Sequence, residues 1–255
     1  MKIGIIGCGH MGGALAQSFM KNNYSVAVFD RHPDKIQALG LASDLSLEDV
    51  CRGSDVILLA VKPQVFSDLA SELKQTNLKE KIMLSVMAGV SLQDLKEQLA
   101  VSKIIRCMPN LSVKDQQGVL GWTSVGCEAS ERQELQDLMS SGGLALELKS
   151  EEQVDKMTLI SGCGPGYLAY WYEAMITQAK NLGFQEAEAQ AIVKQTIEGT
   201  TKLLENNSPQ ELQKNVSSKG GVTECLTQSL EQQGFQEIFQ KALQEAAEHM
   251  KNLNT

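Results

Sequence analysis

The 255-residue chain is long enough to bury a substantial core and to form two modest domains. Its 42% hydrophobic and 21% charged residues are typical of a globular protein, and its net charge of −8 argues against nucleic acid or an anionic membrane as the main partner. The N-terminus lacks the pattern of a signal peptide, and the longest aliphatic run, at 56–61, is too short to span a bilayer. We therefore expect a soluble, cytoplasmic protein.

Cysteine and histidine usage argues against a metal centre. The six cysteines are dispersed, none forms a Cys-x-x-Cys pair, and the chain has only three histidines. Structural metal sites and disulfide frameworks both need such residues at close or regular spacing. We therefore expect no metal and no disulfide, with reduced thiols.

Strand-like and helix-like segments alternate over the first 150 residues. Strands are predicted at 2–6, 25–30, 55–61, 81–89, 103–108, 118–125 and 144–148. Helices are predicted between them, near 14–21, 33–40, 64–75, 92–99 and 130–140. This alternation predicts an α/β domain over residues 1–150, built on a doubly wound parallel sheet.

The strand signals stop near residue 150. Helical periodicity continues over four further segments, at 152–182, 186–205, 209–214 and 223–252. Glycine or proline interrupts the pattern between them. The sequence therefore predicts a second, all-helical domain over residues 151–255.

A glycine-rich loop follows the first predicted strand. The segment "GIIGCGHMGGAL" carries a Gly-x-Gly-x-x-Gly pattern between a strand and a helix. Such glycines allow a tight turn, close approach of a pyrophosphate, and close packing of helix on strand, while the helix N-terminus attracts the phosphates. The pattern predicts a dinucleotide site and hence a Rossmann-type domain. The loop residues predicted to contact the cofactor are Gly7, Cys8, Gly9, His10, Met11 and Gly12.

Two residues at the end of the second strand bear on the choice of dinucleotide. Asp30 lies where a carboxylate binds the adenosine ribose 2′-hydroxyl of NAD. The next residue, Arg31, can instead reach the 2′-phosphate of NADP. A surface pair that merely ends the strand is the alternative. The sequence leaves NAD and NADP both open as the cofactor.

Three further strands end in segments suited to a ligand-binding edge, "AVKP", "MAG" and "RCMPN". Open α/β sheets bind ligands at the carboxyl ends of their parallel strands. Cofactor contacts are expected from the first two segments, at Ala60, Val61, Lys62, Pro63, Ala88 and Gly89. A solvated turn charge is the alternative for Lys62. In the third segment, Asn110 offers an amide to the same crevice.

Two further motifs follow, "SGCGPGYLAYWYEAM" and "NVSSKGGVTECL". In the order and spacing of all these motifs, the chain resembles the pyrroline-5-carboxylate reductases over essentially its whole length. The resemblance implies NAD(P)H-dependent reduction of 1-pyrroline-5-carboxylate to proline, the last step of proline biosynthesis. It also implies a helical domain that interlocks with a second subunit, giving a homodimer or larger homo-oligomer. The chain departs from the family's usual residues at Cys163, Gly166, Ser208, Lys219 and Val222.

The segment "SSKGGVT" is the predicted substrate site. Gly220 and Gly221 can adopt positive φ angles that turn successive N–H groups toward a carboxylate, and the next helix adds its N-terminal dipole. Ser218 adds a hydroxyl. Thr223, at or near the N-cap, is predicted to hydrogen-bond the ring nitrogen, where the resemblance also places it; the resemblance gives Asn215 a cofactor contact. An ordinary turn with Thr223 as helix cap is the alternative.

Three other functions share part of this pattern. A β-hydroxyacid dehydrogenase would need a Lys and an Asn where this chain has Leu168 and Tyr172. A reductase of a different cyclic imino acid would use the same residues as the main hypothesis. A non-catalytic NAD(P) sensor would have no need of a carboxylate site beside the nicotinamide. The sequence therefore favours the reduction of pyrroline-5-carboxylate.

Overall fold

The computed structural model describes residues 1–252, so the last three residues of the predicted second domain lie outside the described part. Seven strands in this part form one sheet: β1 (Lys2–Ile6), β2 (Ser25–Phe29), β3 (Val56–Leu59), β4 (Ile82–Ser85), β5 (Lys103–Pro109), β6 (Gly118–Val125) and β7 (Gly143–Glu147). Their order across the sheet is β2-β1-β3-β4-β5-β6-β7. Strands β1 to β5 run parallel to one another, β6 runs antiparallel to β5, and β7 is parallel to β6.

The expectation of a parallel sheet holds for β1 to β5 and is wrong for β6 and β7, which run in the opposite direction. The link from β5 to β6 covers residues 110–117 and contains a 3-10 turn at Leu111–Asp115. A parallel connection needs a crossover of about a dozen residues or more. Because this link is shorter, β6 turns back and pairs antiparallel with β5.

The order of the strands creates a switch point at β1. The chain leaves β1 for β2 on one side and returns to β3 on the other. The residues that continue β1 and β3 stay joined to the sheet, since the Gly7 N–H donates to the Phe29 carbonyl at 2.8 Å and the Ala60 N–H donates to the Ile6 carbonyl at 2.8 Å. Such a switch point is where open α/β sheets bind ligands.

The central strands are buried on both faces. Ile5 and Leu58 belong to one buried hydrophobic cluster, and their neighbours Ile6 and Leu59 belong to a second. Successive side chains of a strand point to opposite faces, so the two clusters lie on the two sides of the sheet. This explains why the strands read as continuous apolar runs rather than alternating ones.

The helices of the first 150 residues connect the strands. They are α1 (His10–Lys21), α2 (Pro33–Gln37), α3 (Leu47–Gly53), α4 (Phe66–Leu73), α5 (Leu92–Leu99) and α6 (Ala129–Ser140). The sequence analysis did not predict α3. Its start is marked by a capping box, in which the Ser46 hydroxyl accepts from the Asp49 N–H and the Asp49 carboxylate accepts from the Ser46 N–H.

The described residues after 150 form helices only. These are α7 (Glu151–Met157), α8 (Gly164–Asn181), α9 (Glu186–Leu203), α10 (Pro209–Val216), α11 (Val222–Gln232) and α12 (Phe235–Asn252). A π-helical segment, Thr158–Gly162, joins α7 to α8. The single helix predicted at 223–252 is two helices, because Gly234 adopts a φ of +73° and ends the first of them.

The chain divides into two compact units. One contains Met1–Pro165 with the described residues from His249 onward, and the other contains Gly166–Glu248. The domain boundary predicted between residues 150 and 151 stays a prediction. Over residues 1–252, no helix is both long and apolar enough to cross a bilayer. The same residues contain no group of three His, Cys, Asp or Glu side chains placed to hold a metal ion.

Candidate functional site

Two glycines of the Gly7–Gly12 loop are required by packing within the protein. Gly7 has a φ of +102°, and a Cβ there would lie 2.6 Å from the Ala60 carbonyl oxygen. A Cβ at Gly12 would overlap the Gly7 carbonyl oxygen. These two residues therefore set the tight turn and the close approach of helix α1 to strand β1.

The middle glycine of the loop has no such reason within the protein. A Cβ at Gly9 would meet no atom within 4 Å, and Gly9 is exposed. Gly9 is also the N-cap of α1, whose first turn contains no acidic residue. The backbone N–H groups of His10, Met11 and Gly12 have no hydrogen-bond partner among the described residues. The open space and the free donors fit an anionic ligand such as a pyrophosphate.

Asp30 holds the loop from the end of β2. Its carboxylate accepts the Cys8 N–H at 2.6 Å and the His32 N–H at 2.8 Å, and Lys35 Nζ lies 3.7 Å away. The Asp30 side chain is only 12% exposed. Burial raises the pKa of the Cys8 thiol, and the negative charge of Asp30 raises it further while Lys35 opposes the shift. Cys8 is therefore a neutral thiol that packs the loop rather than a nucleophile.

A pocket opens at the switch point and brings together residues from three predicted segments. The residues that line it are Ile6, Gly7, Gly9, Phe29, Asp30, Arg31, His32, Lys35, Ala60, Val61, Lys62, Val65 and Leu69. Arg31 is 64% exposed and pairs with Glu72 at 2.6 Å. Pro63 does not line the pocket but begins a 3-10 turn, Pro63–Val65. The pocket thus carries three cationic side chains and one well-satisfied carboxylate.

Arg106, in strand β5, joins this strand to helix α7, and the sequence analysis did not consider it. The buried Arg106 guanidinium donates to Glu151 at 2.8 Å and to Asp155 at 2.7 Å. The same Glu151 oxygen accepts the Leu92 N–H at 2.7 Å, at the start of α5. Arg106 stands in the segment "RCMPN", and two acidic residues four apart at the start of the predicted helical domain, Glu151 and Asp155, are the signal that could have identified its partners.

The loop after β4 presents exposed backbone, whereas the Asn110 amide after β5 is hydrogen-bonded within the protein. Ala88 is exposed and Gly89 has a φ of +79°, so this loop presents backbone at the edge of the sheet. The Asn110 amide is used within the protein, since its oxygen accepts the Val119 N–H at 3.2 Å and its nitrogen donates to the Ser161 hydroxyl at 3.3 Å. Ser161 lies in the π-helical segment, a type of distortion that is frequent at functional sites.

The second predicted site lies wholly within the unit Gly166–Glu248. Helix α11 begins at Val222 with Gly221 as its N-cap, so Thr223 is the second helical residue rather than the cap. The Gly221 N–H donates to the Ser218 carbonyl at 2.8 Å. Gly220, with a φ of +71°, donates its N–H to the Glu224 carboxylate at 2.6 Å. Both glycine N–H groups predicted to bind substrate therefore have partners within the protein.

Other donors of this loop remain free. The backbone N–H groups of Val222, Thr223 and Glu224 have no partner among the described residues, as expected for a first helical turn. The Thr223 hydroxyl is also without a partner there. The Ser217 hydroxyl oxygen is buried and unpartnered within the described chain. Asn215, in the last turn of α10, and Ser218 are exposed. Sequence analysis did not single out Glu224.

The second unit leaves much apolar surface uncovered. Its buried hydrophobic cluster contains only Ile176, Ala189 and Val193. A second group of rings, formed by Tyr167, Trp171, Phe235 and Phe239, packs with centroids 5.2–5.9 Å apart. Large apolar side chains are exposed at Tyr170 (74%), Leu182 (80%), Val222 (86%) and Ile238 (64%). Apolar exposure on this scale is typical of a protein–protein interface.

Comparison with known proteins identifies the family. A family model described as "Pyrroline-5-carboxylate reductase dimerisation" matches residues 151–253, and one described as "NADP oxidoreductase coenzyme F420-dependent" matches residues 2–89. The pyrroline-5-carboxylate reductase of Aquifex aeolicus is 31% identical, covering 99% of this chain and 97% of the relative. That of Pasteurella multocida is 30% identical, covering 97% and 96%. The chain belongs to the pyrroline-5-carboxylate reductase family.

Solved structures agree with this membership. The pyrroline carboxylate reductase of Plasmodium falciparum with NADP bound has a TM-score of 0.90 at 27% identity, covering 100% of this chain and 98% of that one. The 1-pyrroline-5-carboxylate reductase of Streptococcus pyogenes has a TM-score of 0.89 at 26% identity, covering 99% and 98%. The predicted family and the predicted fold class, a Rossmann-type α/β domain followed by a helical dimerisation domain, are confirmed.

Proposed function

We propose that the protein reduces 1-pyrroline-5-carboxylate to L-proline with NADPH or NADH as the hydride donor. The observation that carries this proposal is the full-length similarity to relatives named pyrroline-5-carboxylate reductase, which match 97–99% of the chain. The match therefore includes both glycine loops. The similar structure from Plasmodium falciparum has NADP bound, which supports the cofactor class.

The first unit fits a dinucleotide. The open space at Gly9 and the free N–H groups of His10 and Met11 would hold the pyrophosphate, and the adjacent pocket would hold the adenosine. When bound, the reduced nicotinamide supplies a hydride to the imine carbon, which is C2 of 1-pyrroline-5-carboxylate and becomes C5 of proline, while the C=N double bond becomes a single bond and its nitrogen takes up one proton. The exposed backbone at Ala88 and Gly89 would contact the cofactor at the sheet edge.

The loop before α11 supplies the substrate contacts in this proposal. The N–H groups of Gly220, Val222 and Thr223 would bind the substrate carboxylate with the help of the helix dipole. The Thr223 hydroxyl would hydrogen-bond the ring nitrogen and so orient the ring for hydride addition. Since a hydroxyl does not readily give up its proton at neutral pH, Thr223 positions the nitrogen and solvent supplies the proton.

We propose that NADPH is the preferred donor. Arg31, Lys35 and Lys62 line the adenosine pocket, and the one carboxylate there, Asp30, already accepts two backbone N–H groups. A 2′-phosphate would gain from this positive surface. Arg31→Ala is therefore expected to raise the KM for NADPH about tenfold while changing that for NADH little. Glu72→Gln, which removes the present partner of Arg31, is the matched control and is expected to leave NADPH binding intact.

A spectrophotometric assay tests the proposed function. Purified protein is mixed with 1-pyrroline-5-carboxylate and either NADPH or NADH, and the absorbance of the reduced nicotinamide is followed. We expect turnover with both cofactors and a higher kcat/KM with NADPH. No turnover with either cofactor would contradict the proposed function, and a higher kcat/KM with NADH would contradict the proposed preference alone.

We also propose that the protein is a homodimer or larger homo-oligomer that assembles through the helical unit. The matched dimerisation model and the exposed side chains of Leu182, Val222 and Ile238 support this arrangement. Light scattering is expected to give a mass of at least twice 27.8 kDa. A fully active monomer would contradict the proposed assembly.

We also propose a cytoplasmic location. The unpaired state of all six cysteines supports this location, and cell fractionation tests it.

A further inference from the structure

A carboxylate of the protein itself lies on the proposed substrate site. Glu224 is the third residue of α11, and its Oε2 accepts the Gly220 N–H at 2.6 Å. Glu224 is half-buried, and no cationic side chain pairs with it among the described residues. A carboxylate placed in the first turn of a helix is stabilised by the helix dipole and by a charge-assisted hydrogen bond. The Glu224 side chain therefore satisfies the preference of this loop for an anion.

The substrate carries the same chemical group. Pyrroline-5-carboxylate and proline both present a carboxylate, and under the proposed function that carboxylate uses the Gly220 N–H together with the free N–H groups of α11. One N–H hydrogen cannot make a full-strength hydrogen bond to two carboxylates at the same time. The two anions would also repel each other at this separation. Substrate binding therefore requires Glu224 to leave Gly220.

A second polar group of the same loop has no partner. The Ser217 hydroxyl oxygen is buried and has no hydrogen-bond partner in the described residues. Buried hydroxyl groups in proteins almost always have a partner, and one without it needs an explanation. The loop therefore combines a Gly220 N–H occupied by Glu224 with an unpartnered hydroxyl at Ser217, so Glu224 leaves the polar groups of this loop incompletely satisfied.

We propose that Glu224 sets the affinity and specificity of the substrate site by competing with the substrate carboxylate for the Gly220 N–H. This inference rests on the proposed function. In the free protein the Glu224 carboxylate occupies the position of the substrate carboxylate. After displacement its negative charge stays within one helical turn of the bound anion. The site consequently binds a monocarboxylate less tightly than the same loop would without Glu224.

A different role for Glu224 would give the opposite results. A carboxylate beside the substrate could instead attract the protonated, cationic ring nitrogen. Removal of the charge would then weaken substrate binding or lower kcat. The structure favours competition, because Glu224 lies on a backbone N–H donor that suits an anion and not on a position that suits a cation.

The test compares Glu224→Gln with Glu231→Gln. Both variants remove one negative charge from α11, but Glu231 is exposed and lies two turns further along the helix. We expect Glu224→Gln to lower the KM for pyrroline-5-carboxylate about three- to tenfold, with the KM for NADPH unchanged. Glu231→Gln is expected to change neither. Inhibition by cyclopentanecarboxylate, which has the carboxylate but no ring nitrogen, should strengthen by a similar factor only in Glu224→Gln.

Pyrrolidine, which has the ring nitrogen but no carboxylate, is the second probe. Its inhibition is expected to be the same in wild type and Glu224→Gln. An unchanged or higher KM for pyrroline-5-carboxylate in a folded Glu224→Gln protein would overturn the inference, as would weaker inhibition by pyrrolidine. Those results leave the proposed function standing if the wild type turns over. A wild type without turnover would overturn both the proposed function and this inference.

Discussion

The two glycine loops of this chain both precede a helix N-terminus, yet their backbones are held in different ways. In the Gly7–Gly12 loop, a Cβ at Gly7 or at Gly12 would overlap backbone atoms, and the Asp30 carboxylate accepts the Cys8 N–H. In the loop before α11, Gly220 has no neighbour where a Cβ would lie, and its N–H is held by a side chain from the same loop and helix. The conformation of the first loop is therefore fixed by its contacts with the sheet, whereas that of the second depends on contacts within the loop and the start of α11.

Under the proposed function, this difference separates recognition of the cofactor from recognition of the substrate. The N–H groups at the start of α1 that would bind the pyrophosphate are free in the structure, so the cofactor would need no rearrangement there. The Gly220 N–H that would bind the substrate carboxylate is occupied by Glu224, so the substrate would have to displace it. The comparison predicts that substitutions in the first loop act on stability and cofactor binding, whereas those in the second act on substrate affinity and turnover.

The largest effect is expected from Gly12→Ala. Its Cβ would overlap the Gly7 carbonyl oxygen, a backbone atom that cannot move without opening the turn. We expect a loss of about 3 kcal/mol in the free energy of unfolding. Gly221→Ala is the matched variant in the second loop, where a Cβ would meet the rotatable Ser218 hydroxyl and, at 2.8 Å, the Ser218 carbonyl oxygen of the same loop. Because that carbonyl belongs to an exposed loop rather than to the sheet, the loss should be smaller, about 1–2 kcal/mol, and equal losses in urea denaturation would contradict the comparison.

Arg106→Met is expected to give the next largest effect. It removes the buried cation that joins β5 to Glu151 and Asp155, and it leaves two partly buried carboxylates without a partner. Loss of one partner from a buried ion pair is strongly destabilising. Because both carboxylates retain some access to water, we expect a loss of about 2 kcal/mol in the free energy of unfolding. Arg52→Met, which breaks an exposed pair with Asp49, should change the urea midpoint little.

Thr223→Ala tests the second loop through catalysis. Under the proposed function the Thr223 hydroxyl orients the ring nitrogen, so its loss is expected to lower kcat about tenfold, since one hydrogen bond contributes roughly 1–1.5 kcal/mol. The KM for NADPH should not change, because Thr223 belongs to the substrate loop. Steady-state kinetics measures both quantities. Turnover at the wild-type level would reduce Thr223 to a structural residue of α11.

The smallest effect concerns the pH dependence of stability. A hydrogen bond from Lys103 and one from the Glu128 N–H lower the pKa of Glu131 below its usual value. These bonds stabilise the folded protein while Glu131 is ionised. The stabilisation is therefore fully present above the ordinary pKa of glutamate and is lost as the pH falls through the lowered pKa. Because Glu131 is near the surface, Glu131→Gln should cost well under 1 kcal/mol at neutral pH. The difference from wild type should disappear in acid-denaturation curves at low pH.

The strands and the glycine turn of the first 150 residues were predicted well because their signals are local. Continuous apolar strands and the glycine pattern each depend on residues that are close in sequence or at a fixed spacing, whereas the predicted ribose contact of Asp30 stays a prediction. The antiparallel β6 was missed because it depends on the length of a link rather than on strand composition. Helix α3 was missed although the capping box at Ser46 was present.

The contacts that the sequence did not indicate are those that join distant or unexpected partners. Arg106 meets Glu151 only after the chain has formed two more strands and a helix. Glu224 was not singled out in the sequence, and only the fold of the loop shows that its carboxylate accepts the Gly220 N–H. Thr223 was expected at or near the cap, and the structure gives the cap to Gly221 because Val222 already has helical geometry.

The transfer of label from cofactor to product tests the central claim most directly. NADPH with deuterium at C4 of the nicotinamide, prepared separately with each of its two faces labelled, is incubated with the protein and 1-pyrroline-5-carboxylate, and the proline formed is analysed by mass spectrometry and NMR. We expect deuterium at C5 of L-proline from one of the two labelled cofactors. Oxidation of the cofactor without labelled proline, or no oxidation at all, would contradict the account.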